Sequence, residues 1–255
     1  MCIRDSAWPA GTPCWVDYGA ADLDAAKAFY SELFGWDYIS HGEGYGGYLI
    51  ARLRGRDAAG IVTQMDASQQ PSWSTYFATD DVEATAARIR DAGGTVVAGP
   101  MEVGDRGAMA YAVDPQGNPF GVWRAGLTTG YQVFNEPGSL VWTDGATDDL
   151  AAGEAFYRAV FGFSWADVDG MDGQYATFAL ADGRPLGGLG AASPDGPMGW
   201  VSCFAVASTD DTVAAVERHG GRTTTPAQDT EYGRFAVLED PWGAPFSVMQ
   251  VAEEA

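Results

Sequence analysis

The sequence contains few basic residues, few cysteines and no long apolar segment, and each shortage argues against a class of protein. It has 14 Lys and Arg against 35 Asp and Glu, a net charge of −21 that disfavours binding to a nucleic-acid backbone. Three widely spaced cysteines form neither a disulfide framework nor a zinc cluster. No apolar run reaches the ~18 residues of a membrane span, and no signal-peptide segment follows Met1. We expect a globular cytoplasmic protein without a membrane or nucleic-acid partner.

What the sequence does contain is an internal repeat at an offset of 127 residues. Trp15 recurs as Trp142, and Gly93 recurs as Gly220. This predicts two homologous modules, which we place at residues 10–125 and 139–252. The residues between them, 126–138, are rich in Gly, Pro and Asn and form a predicted linker. The first six residues stand apart from the repeated pattern.

Each module consists of two similar halves with the order strand, helix, strand, strand, strand. In the first half, Cys14–Gly19 is typical of a strand, and Asp22 is placed to cap a helix that ends at Gly35. Further strands are predicted near Trp36–Ser40, Tyr48–Leu53, Gly60–Met65, Ser74–Thr79, Thr95–Val97, Ala108–Val113 and Phe120–Trp123, with a second helix from Asp81. We therefore predict an α+β fold of two tandem modules. Each would contain two βαβββ units that form a curved mixed sheet with helices on the outside.

This doubled module resembles the vicinal oxygen chelate superfamily, which contains glyoxalase I, bleomycin- and fosfomycin-resistance proteins and extradiol dioxygenases. The resemblance extends from Trp15 to Val251, and both modules contain the motifs that carry it. In the first module these motifs are Asp22, Phe29-Tyr30, Phe34-Gly35, Gly93-Gly94 and Asp114-Pro115-Gln116-Gly117. The Trp-x-Asp opening and the Asn-Glu-Pro-Gly joint further resemble a two-module, glyoxalase-like actinobacterial-type branch. The motifs are specific for the fold and not for one function, because this fold hosts many activities.

The resemblance also implies where each module would bind a metal. Metal-using members take a His or Glu from the first, fifth and last strands of a module. The matching positions here are Trp15, Ser74 and Gly121 in the first module and Trp142, Val201 and Ser247 in the second. None of these offers the imidazole or carboxylate that divalent metals need. The two histidines, His41 and His219, fall at predicted strand and helix ends. We expect no metal or other cofactor.

The resemblance implies that the metal positions face the concave side of each sheet, here called its cup. If they do, the alternation of side chains along a strand places the residues two positions away in the cup as well. The predicted ligand-binding residues are Trp15, Asp17, Ser74, Tyr76 and Trp123 in the first cup and Trp142, Asp144, Cys203, Ser247 and Met249 in the second. Arg234 is also predicted to be a ligand-binding residue, as a partner of the carboxylate in the second cup. Tyr48 and Tyr175 are equivalent strand residues and candidates for pocket walls, although core or surface roles are favoured for them. Each cup would be aromatic and apolar. Its single carboxylate would be hydrogen-bonded, raised in pKa or reached by solvent.

These cups leave three functions open. A metal-independent binding protein would hold a cationic or aromatic small molecule, because aromatic faces bind cations and planar groups. A glyoxalase-like or hydroxylase-like enzyme would use Asp17 or Asp144 as its general base. In a structural protein, side chains such as Trp15 and Trp142 would fill the cups. The chain would be a monomer with pseudo-twofold packing of its modules, or a homodimer.

Overall fold

The computed structural model describes residues 2–40, 42, 45–64, 70–193 and 196–252, so His41 and Met65 lie outside it. The helices are α1 (Leu23–Phe34), α2 (Val82–Asp91), α3 (Leu150–Phe161) and α4 (Thr209–Arg218). The strands up to the second module are β1 (Cys2–Ile3), β2 (Pro13–Ala20), β3 (Asp37–Ser40), β4 (Leu49–Leu53), β5 (Arg56–Thr63), β6 (Ser72–Ala78), β7 (Thr95–Glu102), β8 (Gly107–Val113), β9 (Pro119–Ala125) and β10 (Val133–Phe134). Those that follow are β11 (Leu140–Thr147), β12 (Ser164–Asp167), β13 (Tyr175–Ala179), β14 (Pro185–Ala191), β15 (Gly199–Ala205), β16 (Arg222–Thr230), β17 (Gly233–Glu239) and β18 (Pro245–Val251). None of the helices in this part of the chain has the length and apolar character needed to cross a membrane.

The described strands form two mixed sheets, one for each module. The order is β3-β4-β5-β2-β6-β9-β8-β7 in the first sheet and β12-β13-β14-β11-β15-β18-β17-β16 in the second. In both sheets the two βαβββ units join through their first strands, which pair antiparallel as β2 with β6 and β11 with β15. The predicted α+β fold, with the helices on the face opposite each cup, is confirmed.

Local sequence sets the ends of the helices. Asp22 accepts hydrogen bonds from the first amides of α1, and Gly35 ends that helix with a φ of 70°, a conformation that glycine adopts without strain. Helix α3, the equivalent helix of the second module, likewise begins after an aspartate cap, Asp149, and ends at a glycine, Gly162. Helix α4 differs, because Ser208 is its cap and the pair Asp210-Asp211 lies in the first turn. The acids there still favour the helix dipole.

The helix-bearing faces of the two sheets pack against each other, so the cups face away from the module interface. Phe34 of α1 contacts Phe204 of β15, with ring centroids 4.7 Å apart. Phe161 of α3 contacts Phe77 of β6 at 4.8 Å. The 127-residue offset relates one contact to the other, as expected for a twofold arrangement in which each patch meets its own equivalent.

Buried carboxylates add polar contacts to this apolar interface. Asp240 of the second module accepts hydrogen bonds from the hydroxyls of Tyr18 and Tyr30 of the first, at 2.6 and 2.9 Å. In the reciprocal contact, Tyr157 donates to Asp114 at 3.1 Å. These aspartates begin the Asp-Pro-x-Gly motifs, and they also accept hydrogen bonds from backbone amides within and directly after those motifs. Because buried polar groups must be paired, these bonds restrict how the modules can pack.

The segments that lead into the two modules are equivalent as well. Gly11 donates to the carbonyl of Ala78, and Gly138 donates to that of Ala205, both at 2.8 Å. Each glycine has a positive φ, 87° and 90°, and packs against the other module. Gly11 lies beside Phe161 and Leu180, and Gly138 lies beside Phe34 and Leu53. The end of the predicted linker is therefore a second copy of the N-terminal segment, and β1 joins the second sheet through β10.

We expect Tyr30→Phe to lower the free energy of unfolding by about 1–3 kcal/mol. The change removes a donor to Asp240 and the acceptor of the Trp73 indole N–H, which lies 3.0 Å from the Tyr30 hydroxyl. Urea denaturation followed by circular dichroism measures the effect. Tyr232→Phe is the matched control, since Tyr232 is 61% exposed. Equal stability of the two variants would contradict the role given to the buried hydroxyl.

Candidate functional site

The first cup encloses a cavity of about 580 Å³. Trp15, Asp17, Tyr76 and Trp123 line it, in agreement with the alternation of side chains along β2, β6 and β9. Tyr48, Ile50, Met101 and Met109 complete its apolar walls. The opposite faces of the same strands carry Val16, Tyr18, Phe77 and Phe120, which are fully buried on the helix side. The cavity is thus an aromatic cup with a carboxyl group on one wall.

Ser74 lies beside this cavity without being one of its lining residues. It pairs in register with Asp17 across β2 and β6. Its Oγ is 3.0 Å from the hydroxyl oxygen of Tyr111 on β8. Ser74 therefore supports a neighbouring tyrosine in the cup.

Asp17 is held by tyrosine hydroxyls and not by a cation. Tyr48 donates to its Oδ2 at 3.1 Å, and the Trp15 indole N–H donates to the Tyr48 oxygen at 2.7 Å. Burial raises the pKa of Asp17 to about 7, although hydrogen bonds from Tyr48 and Tyr76 oppose the shift. A carboxyl with this pKa can take up or release a proton near neutral pH.

The second cup repeats this network in a tighter form. Tyr175 donates to Asp144 at 2.6 Å, and the Trp142 indole N–H lies 3.0 Å from the same carboxylate oxygen. Burial raises the pKa of Asp144 to about 6, against the hydrogen bonds from Tyr175 and Trp142. Cys203 stands where the first module has Tyr76, and burial raises the pKa of its thiol to about 12. Such a thiol is not a nucleophile at neutral pH.

The remaining predicted residues of the second cup are small or flexible. Ser247 pairs with Cys203 across β15 and β18, and Met249 takes the place of Trp123. Trp142 also borders a separate groove of about 570 Å³ between the N-terminal segment and the second module. Trp8 and Leu186 line that groove as well, whereas Asp144 is not one of its lining residues.

The expected pairing of Arg234 with Asp144 is wrong. The Arg234 guanidinium binds Asp210 at 2.9 Å and Asp229 at 3.0 Å. Arg234 is paired with Gln250 across β17 and β18, one residue out of phase with Met249. It therefore projects toward α4, on the face opposite the cup. His219 likewise lies outside the cups, at the end of α4, with its Nε2 2.9 Å from Glu32.

Tyr48 and Tyr175, for which core or surface roles were favoured over a place in the pocket wall, are functional candidates. Each bonds the aspartate of its cup, and glycines on the neighbouring strand make room for it. A Cβ at Gly60 would overlap the hydroxyl of Tyr48, and one at Gly188 would overlap that of Tyr175. The recurrence of the tyrosine at the 127-residue offset was the available signal.

In the first module, the positions that the resemblance marks for metal ligands are occupied in other ways. Trp15 uses its indole N–H as a donor, and Ser74 is engaged with Tyr111. A Cβ at Gly121 would overlap the ring of Tyr76, so that ring occupies the space a ligating glutamate would need. Across residues 2–40, 42, 45–64, 70–193 and 196–252, no three His, Cys, Asp or Glu side chains cluster as a metal site would require.

The chain belongs to the glyoxalase/bleomycin resistance protein/dioxygenase superfamily, whose family model matches residues 15–122 and 139–248. It is 37% identical to a Mycobacterium bovis protein named "Putative glyoxylase CFP32", over 98% of this chain and 99% of that protein. It is 36% identical to the anthracycline biosynthesis protein DauV of a Streptomyces species, over 95% and 94% of the two chains. The Mn(II)-bound glyoxalase of Novosphingobium aromaticivorans has the same fold, with a TM-score of 0.68, 17% identity and coverage of 96% and 84%.

We expect Asp17→Asn to become stabilising relative to the wild type as pH rises. Because the folded chain raises the pKa of Asp17 from 3.8 to about 7, it favours the protonated form. The resulting stability is present below about pH 4 and is lost as pH rises through 7. The relative change should be on the order of 2–4 kcal/mol. Urea denaturation of both proteins between pH 4 and 8.5 measures it. For Asp144→Asn, the stability difference from the wild type should stop changing about one pH unit lower, because the pKa of Asp144 is about 6. A stability difference between Asp17→Asn and the wild type that does not depend on pH would contradict the raised pKa of Asp17.

Proposed function

We propose that the chain binds a planar aromatic small molecule in the cup of its first module, without a resident metal. The observation that carries this proposal is the cavity of about 580 Å³ with the Asp17 carboxyl on its wall. Its volume lies in the range of ~300–1,000 Å³ that small-molecule pockets occupy. Most of its surface comes from aromatic and aliphatic side chains, and a few polar groups remain to orient a ligand.

The shape of the walls supports a flat ligand. Trp15 and Trp123 present indole rings, and Tyr76 presents a phenol ring over Gly121. Aromatic rings stack on flat partners with a geometric preference that adds to the burial of apolar surface. The Streptomyces relative is named for anthracycline biosynthesis, and anthracyclines are polycyclic aromatic compounds. That name agrees with a planar ligand for this chain.

The donor chemistry of the cups supports metal-independent binding. The family metal positions hold indole, hydroxyl and hydrogen side chains in the first module, and the Tyr76 ring covers the third of them. A protonated Asp17 can donate a hydrogen bond to a carbonyl or quinone oxygen, and an ionised Asp17 can accept one from a hydroxyl. These contacts orient a ligand without a metal.

We expect anthraquinone-type compounds to quench tryptophan fluorescence, with weaker binding to the Trp15→Phe variant. Trp15 lines the cavity, and loss of its indole should weaken binding about fivefold, or about 1 kcal/mol. Trp142→Phe is the matched control at the equivalent position of the second module, and it should bind as the wild type does. Calorimetric titration of all three proteins gives the affinities.

A chelator supplies the second arm of this experiment. Binding should be unchanged after dialysis against EDTA, and elemental analysis should find no stoichiometric transition metal. If EDTA removes a metal from the protein and ligand binding is lost at the same time, the proposal of metal-independent binding is wrong. A larger effect of Trp142→Phe than of Trp15→Phe would instead place the ligand in the second cup or in the groove beside it, since Trp142 borders both.

Proton-transfer catalysis is a second candidate function, and one observation favours it. Burial raises the pKa of Asp17 to about 7, and a general base is most effective when its pKa is close to the working pH. A ligand with an acidic C–H next to a carbonyl could transfer its proton to the ionised carboxylate. The glyoxylase-type name of the mycobacterial relative agrees with a carbonyl substrate.

We expect Asp17→Asn to separate catalysis from binding. If the chain turns over α-ketoaldehydes or related carbonyl compounds, the variant should lose about 10²–10⁴-fold in kcat and keep its affinity for the ligand. Asp144→Asn, at the equivalent position, should retain turnover. Product formation followed by NMR measures both. Retained turnover in Asp17→Asn would remove Asp17 from the reaction and leave the binding function standing.

A further inference from the structure

Arg106 lies at the mouth of the first cup, on a turn that the surrounding backbone holds in place. The turn joins β7 to β8, and the Arg106 amide donates to the carbonyl of Val103 at 3.0 Å. Its own carbonyl accepts from the amides of Gly126 and Thr128 at 2.9 and 3.1 Å. The side chain therefore starts from a fixed point, which favours precise recognition of a ligand.

The charge of Arg106 is only partly compensated. Its closest carboxylate contact is Nε to Asp105 Oδ1 at 3.5 Å, and that oxygen also accepts a hydrogen bond from Tyr45 at 3.1 Å. The guanidinium lies 5.7 Å from the centroid of the Tyr45 ring. Its Nε is buried and makes no hydrogen bond of normal geometry. A buried donor in this state gains free energy when an acceptor reaches it.

The other charges at the cavity do not compete for this role. Glu102 also lines the mouth, but its carboxylate binds Arg124 at 2.8 and 3.0 Å. Asp17, inside the cup, bonds to tyrosine hydroxyls. Among the described residues that line the cavity, Arg106 carries the one positive charge.

The second module has no such cation at the equivalent turn. Gly107 and Gly233 are the first residues of β8 and β17, so Tyr232 takes the place of Arg106. The Tyr232 side chain is 61% exposed. Of the two equivalent turns, only the one at the first cup therefore carries a positive charge.

We propose that Arg106 binds an acidic substituent, a carboxylate or phenolate, of a planar aromatic ligand whose other end faces Asp17. This inference rests on the proposed binding function and adds the charge of the ligand to it. A guanidinium can form two parallel hydrogen bonds with one carboxylate. The single contact of Arg106 with Asp105 at 3.5 Å does not have this geometry, so a ligand carboxylate can supply it. The net charge of −21 opposes an anionic ligand at Arg106 only weakly. Most of the acidic side chains are exposed, and salt screens exposed charges that lie more than ~8–10 Å away.

Three anthraquinones with the same ring system and different charges test the proposal at pH 7. They carry a carboxylate, a carboxamide or an aminomethyl group at carbon 2. The wild type should bind the carboxylate about 10–100-fold more tightly than the carboxamide, as expected for a hydrogen bond between charged groups. Arg106→Gln should lose that preference and keep its affinity for the carboxamide within about twofold.

Arg90→Gln is the matched control, because it removes the same charge from an exposed position on α2, on the opposite face of the sheet. It should retain the wild-type preference. Three outcomes would overturn the role of Arg106 and leave the binding function intact. The wild type could bind the carboxylate and the carboxamide equally, or it could bind the aminomethyl compound most tightly. In the third outcome, Arg106→Gln would lose affinity for all three compounds equally. Failure of all three to bind the wild type would overturn both proposals.

Discussion

The packing of the two helix-bearing sheet faces against each other is the constraint on which the rest of this structure depends. Aromatic rings supply the apolar contact, as where Phe34 meets Phe204. The carboxylates of Asp240 and Asp114 accept hydrogen bonds from tyrosines of the opposite module. An unpaired carboxylate in this interior would be costly, so only arrangements that bring tyrosine and aspartate together are stable. The same requirement explains why the contacts occur twice, related by the repeat.

This packing decides which faces remain available for function. Because the helix sides of both sheets form the interface between the modules, the concave faces remain outside it. The two cups then differ through a few substitutions between the repeats. Tyr76 and Trp123 in the first cup correspond to Cys203 and Met249 in the second. The first cup has a cation at its mouth, whereas the second has an exposed tyrosine at that turn. The two modules thus share one scaffold and differ in the walls of their cups.

Trp15, Asp17, Tyr76 and Trp123 were placed in one cup by two arguments together. The family resemblance indicated which strand positions face the concave side, and the period of two residues along a strand extended that assignment to their neighbours. Arg234 was expected beside Asp144 because it follows Tyr232-Gly233 on a late strand of the second module. The register of β17 against β18 puts it on the helix side, where Asp210 and Asp229 bind it. Tyr48 was favoured for the core or surface for a related reason. Its contact with Asp17 spans strands whose pairing is set by the parallel register of β2 and β5.

The sequence by itself determined the repeated α+β units, the helix ends and the absence of imidazole and carboxylate at the family metal positions, because these follow from local residue identity and spacing. Tertiary structure decided which groups surround each buried carboxylate and how far its pKa is raised. It also decided that Arg106 reaches the mouth of the first cup while Arg234 does not reach the second. Such outcomes depend on strand register and on packing between residues distant in the chain, and local sequence does not specify them.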